Sequence, residues 1–163
     1  MVCWDYPEYG LSTGELDEFS CYNSIEDVVS HYKKMTNKIL LCGQSLGTGI
    51  VVDWISKHVW TNPVVLISPY KSIPKVITGI NLVESLICKN KFATYQKIGK
   101  TNCPIKIFHG RQDDLIGVSH PIELYELVPN KILQPHYIDN TGHNDILGKI
   151  DLNEFVKLLN MIN

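Results

Sequence analysis

Short apolar, β-branched runs alternate along the chain with segments whose apolar positions recur at helical spacing. Val2–Tyr6 reads as a strand, followed by a turn-rich stretch from Pro7 to Asn23. Ser24 has the features of a helix cap, with Asp27 placed as in a capping box. Ile25, Val28, Val29 and Tyr32 give that helix an apolar face. Lys38–Cys42 reads as a buried strand and Leu46–His58 as the next helix. Val64–Ser68 is a further strand, stopped by Pro69, and Ile105–His109 and Gln134–Ile138 follow. Pro121–Leu127 and Leu152–Met161 supply two more helices. Strands that are apolar along their whole length and separated by helices indicate a mostly parallel sheet covered on both faces. The expected class is α/β, a three-layer α/β/α sandwich with right-handed crossovers, forming one domain over residues 1–163. The stretch from Tyr70 to Thr101 has a mixed pattern, interrupted by Pro74, Gly79 and Gly99. It reads as a long lid-like excursion containing a helix near Ile80–Cys88.

Composition narrows the function classes. The net charge is -2, and lysines and arginines stand singly or in pairs rather than in a basic stripe, so no nucleic-acid partner is expected. The 5 cysteines are far apart, with no CxxC or CxxH spacing. An odd count without a secretory signal fits reduced thiols in the cytoplasm, and no metal or cofactor is expected. The apolar stretches fall short of the ~20 residues that a membrane helix needs, so no transmembrane segment is expected.

The most informative segment is Cys42-Gly43-Gln44-Ser45-Leu46-Gly47-Thr48-Gly49, a G-x-S-x-G directly after a buried strand and directly before a helix. A serine at a sharp strand-to-helix turn needs small neighbours, because a Cβ on either side would clash. The turn lifts Oγ above the sheet edge, and the helix N-terminus offers free N–H groups to a developing oxyanion. The alternative reading is a glycine-rich turn that allows close helix–strand packing. The context favours the nucleophile, Ser45, with the Leu46 N–H as oxyanion donor.

A serine nucleophile needs a base, most often a neutral histidine. Of the 6 histidines, His31 and His58 lie in helices and read as surface or boundary residues. His109 ends a strand, where its ring packs or caps the following turn, and His120 and His136 sit beside prolines with no obvious partner. His143 differs. It follows the last strand in Asp139-Asn140-Thr141-Gly142-His143-Asn144-Asp145, in a loop that opens at the carboxyl end of the sheet, where ligands bind in open α/β folds. The acid should come from the end of the preceding strand, where Asp113 and Asp114 compete. The chain order serine, aspartate, histidine is that of α/β-hydrolases.

Gln44-Ser45-Leu46-Gly47-Thr48, Ser68-Pro69, His109-Gly110-x-x-Asp113 and Gly142-His143-Asn144-Asp145 resemble the α/β-hydrolase-domain-containing protein 17 family, as does Asp5-Tyr6-x-x-Tyr9-Gly10-x-Ser12. Members of that family are acyl-protein thioesterases, which remove palmitate from cysteines of membrane-associated proteins. The resemblance implies Asp113 as the acid. It also implies an α/β-hydrolase fold lacking the N-terminal strands. The chain starts at what resembles the family's fourth strand, and the His-Gly loop that supplies a second oxyanion donor has no counterpart. Either the sheet has a gap or Val2–Tyr6 pairs directly beside Lys38–Cys42, and an exposed edge would invite self-association. Glycine is usual in the family where this chain has Glu8, so that loop is expected to be shaped differently.

The expected function is a serine hydrolase cleaving ester or thioester bonds, with an acylated protein among its candidate substrates. Ser45, Asp113 and His143 form the expected triad, and the apolar run Ile77–Ile87 is a candidate acyl site. A serine peptidase or other carboxylesterase fits the same scaffold. So does a catalytically impaired interaction domain with an incomplete oxyanion hole.

Overall fold

Parallel strands β1 (Leu41–Gln44), β2 (Val64–Ile67), β3 (Ile105–Gly110) and β4 (His136–Ile138) make one 4-stranded sheet in the order β1-β2-β3-β4. Leu41 lies opposite Val64, Val64 opposite Ile105, and Phe108 opposite His136. The computed structural model describes residues 1–78 and 89–162. Its helices are α1 (Glu18–Lys33), α2 (Leu46–Lys57), α3 (Ile73–Thr78), α4 (Ser119–Leu127) and α5 (Leu152–Asn160).

The central strands β2 and β3 are largely apolar on both faces because both are covered. Val64, Leu66, Ile105 and Ile107 point into a core shared with Ile25 and Val29 of α1, Ile50 and Trp54 of α2, and Leu124 of α4. Val65, Ile67 and Phe108 point the other way, onto Leu158 of α5 and onto Ile146 and Ile150, which precede that helix. This period-2 division gives the expected three layers. Among the described residues, no helix is long and apolar enough to cross a membrane.

Two expectations are corrected. Val2–Tyr6 forms no strand. Its alternation suits a β-strand, but a strand exists only where a neighbour pairs with its backbone. Here Trp4 donates its indole N–H to Ser24 Oγ at 3.1 Å, and Trp4 and Tyr6 pack against the core. The outer edge of β1 accordingly has no strand partner among the described residues. Helix α1 begins at Glu18 and is capped by Asp17, about two turns before the cap expected at Ser24. Asp17 and Ser20 form the reciprocal capping box, with Ser20 N–H donating to Asp17 Oδ1 at 2.7 Å. Buried Cys21 extends the apolar stripe of Ile25 and Val29 by one turn.

The loop at Glu8 closes with Tyr9 N–H on Tyr6 O at 2.9 Å. Pro7 and Glu8 occupy its central positions, and Glu8 has φ 67°. That is the type II pattern, which favours glycine at this place. The loop therefore places a glutamate at a position whose backbone favours glycine.

The excursion after β2 is largely described, although the helix expected near Ile80–Cys88 lies outside the described residues. It returns through two 3₁₀ turns, Thr94–Gln96 and Ile98–Lys100. A part-buried charge network fastens this return. Lys97 Nζ lies 2.8 Å from Asp53 Oδ1 and donates to Tyr22 Oη at 2.8 Å. Tyr22 donates to Glu18 Oε1 at 2.7 Å, and Glu18 Oε2 accepts from Lys91 N–H at 2.7 Å.

Candidate active site

Ser45 sits between β1 and α2 with φ 49° and ψ −119°, a sparsely populated conformation that costs on the order of 1–3 kcal/mol. The surroundings hold it there. Its N–H donates to Ile67 O at 2.9 Å, and its carbonyl accepts Thr48 Oγ1–H at 2.7 Å. A Cβ on Gly43 would lie 2.5 Å from Gly47 O, so the strand and the helix meet this closely only with glycine.

The loops after β3 and β4 are zipped together. Arg111 N–H donates to Ile138 O at 3.0 Å and Gln112 N–H to Thr141 O at 3.0 Å. A side chain on Gly110 would strike the Thr141 carbonyl, which explains glycine at the end of β3. Gly142 N–H donates to Asp145 Oδ1 at 2.8 Å and sets the turn that carries His143.

These loops bring the three sequence-predicted side chains into one line. His143 Nδ1–H donates to Asp113 Oδ2 at 2.7 Å, and His143 Nε2 lies 3.0 Å from Ser45 Oγ. With its proton on Nδ1, the neutral imidazole offers the Nε2 lone pair to the serine hydroxyl. The Asp113 side chain is fully buried, and its Oδ1 accepts the N–H groups of Leu115 at 3.1 Å and Ile116 at 2.7 Å. Asp114 is exposed, so burial and bonding distinguish two carboxylates that are adjacent in sequence. Leu46 is the first residue of α2, and its N–H has no partner within the helix.

An apolar cavity of about 200 Å³ opens beside Ser45 and Leu46. Tyr70, Ile73, Val76, Ile77, Leu115 and Ile116 line it. Part of the candidate acyl run, Ile77, is thus at the site, and residues 79–87 of that run lie outside the described residues. A second cavity, of about 230 Å³, lies at the other end of the sheet beside Trp60 and Asn62. Among the described residues, no group of three or more His, Cys, Asp and Glu is arranged to hold a metal ion.

Sequence reasoning did not single out two tyrosines. Tyr70 Oη donates to Leu46 O at 3.4 Å, and burial pushes its hydroxyl far above the usual phenol range. The Tyr6 hydroxyl lies against Gly47, and burial pushes its pKa up to about 12. Only the tyrosine in Asp5-Tyr6 carried a sequence signal. Of the other histidines, His109 does cap the following turn, with Nε2 on Ile116 O at 2.8 Å. His120 is not without a partner, because its Nδ1 accepts Lys71 N–H at 3.2 Å.

No family model matches the chain. A mimivirus protein named as an alpha/beta hydrolase, L404 of Acanthamoeba polyphaga mimivirus, is 41% identical over 164 residues. That alignment takes in 98% of this chain and 61% of the relative. Alpha/beta hydrolase domain-containing protein 17C of Homo sapiens is 32% identical over 150 residues, covering 90% of this chain and 44% of that protein. The chain thus spans about half the length of these relatives. Among solved structures, a monoacylglycerol lipase of Paleococcus ferrophilus superposes with TM-score 0.70 at 15% identity, covering 98% of this chain and 82% of that one. A meta-cleavage product hydrolase of Pseudomonas fluorescens gives TM-score 0.68 at 15% identity, covering 98% and 76%. The chain belongs to the α/β-hydrolase superfamily and, within it, resembles the alpha/beta hydrolase domain-containing protein 17 family.

Proposed function

We propose that this chain carries a serine hydrolase site that cleaves carboxylic esters or thioesters through an acyl-enzyme on Ser45. The observation that carries the reading is the unbroken relay from Asp113 Oδ2 through His143 to Ser45 Oγ, at 2.7 and 3.0 Å. Ser45 Oγ attacks the acyl carbonyl while His143 Nε2 takes its proton, and Asp113 fixes the tautomer and stabilises the imidazolium. The Leu46 N–H, at the positive end of α2, donates to the oxyanion. His143 passes the proton to the leaving alkoxide or thiolate. Water, deprotonated by His143, then attacks the acyl-enzyme and releases the acid and Ser45.

The apolar cavity beside Ser45 supports an acyl chain rather than a polar peptide as the group held there. An acylated protein as the substrate rests on the family resemblance alone. The first test is intact-mass spectrometry after fluorophosphonate treatment of the wild type and Ser45→Ala. One adduct on the wild type alone is the expected result. No adduct on folded wild type would refute the reading. Matched short-, medium- and long-chain esters and thioesters then separate a thioesterase from a general carboxylesterase.

A further inference from the structure

Behind Asp113 lies a second, fully buried histidine. His109 is the last residue but one of β3. Its Nε2 is 2.8 Å from Ile116 O, and because a carbonyl oxygen only accepts, the ring proton is on Nε2. The same nitrogen is 3.7 Å from Asp113 Oδ2, the oxygen that accepts the proton of His143 Nδ1. His109 Nδ1 is buried with no hydrogen-bond partner among the described residues.

Two features follow from this geometry. First, the Ile116 backbone is held on both sides of its Cα. Its N–H donates to Asp113 Oδ1 at 2.7 Å, and its carbonyl accepts from His109 at 2.8 Å. The loop that carries the acid is thereby tied to β3. Second, the ring stays neutral. Protonation would bury a charge and a second N–H, on Nδ1, with no acceptor among the described residues. Burial lowers its proton affinity, against the raising effects of the Ile116 bond and of Asp113. The titratable groups around it are Asp113 and His143 from the two loops and His120 from α4.

We propose that His109 is a positioning residue: its neutral Nε2–H fixes Ile116, and through it Asp113 Oδ2 beneath His143, without competing for the carboxylate's charge. The proposal rests on the reading of Ser45, His143 and Asp113 as a triad. It is tested on the full chain with His109→Gln, which keeps an N–H near the position of Nε2, and His109→Phe, which keeps the volume. The expected result for His109→Phe is a loss of about 10²-fold in kcat and in the rate of fluorophosphonate labelling, with KM little changed. Its pH–rate profile shifts its acid midpoint downward, because His143 loses a fixed carboxylate. His109→Gln recovers most of the rate and the midpoint. An unmoved midpoint with equal losses in both variants would reduce His109 to a packing residue, and wild-type rates in His109→Phe would overturn the proposal outright. Should neither variant fold, ¹⁵N-histidine NMR of the wild type decides. A neutral Nε2–H tautomer that does not titrate with His143 is expected, and a protonated His109 overturns the proposal. Failure of the triad reading itself would show separately, as no Ser45 adduct on wild type.

Discussion

Replacement of Asp113 by asparagine keeps the volume of the side chain and changes its bonding in a calculable way. The carboxylate accepts three N–H groups, from Leu115 and Ile116 on Oδ1 and from His143 on Oδ2. An asparagine has one oxygen and one NH₂ group. With its NH₂ turned to the loop, two N–H groups lose their acceptor, and the buried one, of Ile116, alone costs about 1–3 kcal/mol. With its oxygen turned to the loop, the NH₂ meets His143 Nδ1, and only one imidazole proton must move. The second arrangement is cheaper, so it prevails. It puts the imidazole proton on Nε2, facing Ser45 Oγ, where His143 can no longer accept. A wrong tautomer of this kind costs about 10⁴-fold in kcat, or about 5.4 kcal/mol. The assay is initial-rate hydrolysis of a chromogenic acyl ester, with circular dichroism to confirm folding. Asp114→Asn is the control, since that carboxylate is exposed and is expected to leave the rate unchanged. A folded Asp113→Asn within about tenfold of wild type would refute the tautomer argument.

Three further outcomes are expected. Glu8→Gly removes a left-handed non-glycine residue worth about 1–2 kcal/mol, offset by about 0.5–1 kcal/mol of chain entropy, so Tm should rise by about 2 °C in calorimetry, and a fall would contradict the strain. Lys97→Met leaves Asp53, 3% exposed, with Lys57 at 2.7 Å as its one cation among the described residues, and urea unfolding should show a loss of about 3 kcal/mol. Adding Asp53→Leu should restore much of it, and a single variant as stable as wild type would remove the network from the account. Burial lowers the pKa of His109 below its ordinary ~6.5, so below that pH the unfolded chain binds a proton that the folded chain refuses. Stability is therefore full above about pH 6.5 and falls as pH drops through that value, by at most about 1.4 kcal/mol per unit from this group. Urea unfolding across that range should show a shallower slope for His109→Gln, and an identical slope would count against a neutral His109.

Local pattern was sufficient wherever one short segment contained the whole signal. The runs around Val64, Ile105 and His136 are strands, with ends shifted by a residue or two, and for the first two the reason is that a strand buried on both faces needs apolar side chains at nearly every position. The G-x-S-x-G elbow could be read as well, since its tight turn dictates small residues at fixed offsets. Where two local solutions competed, pattern was not enough. Ser24 with Asp27 and Asp17 with Ser20 both fit a capping box, and the choice turned on which pair bonds reciprocally and on Cys21 packing inward.

The sequence by itself determined the α/β class, the elbow that presents Ser45, and the order in which serine, aspartate and histidine follow along the chain. Each of these is encoded in residues that are neighbours in sequence. Tertiary structure alone decided that Val2–Tyr6 stays unpaired and that His109 stands behind Asp113, and it turns inward the Asp113 that only the family resemblance had distinguished from Asp114. Strand pairing, burial and the approach of His143 to a serine 98 positions earlier are long-range contacts, and no local run of residues specifies them.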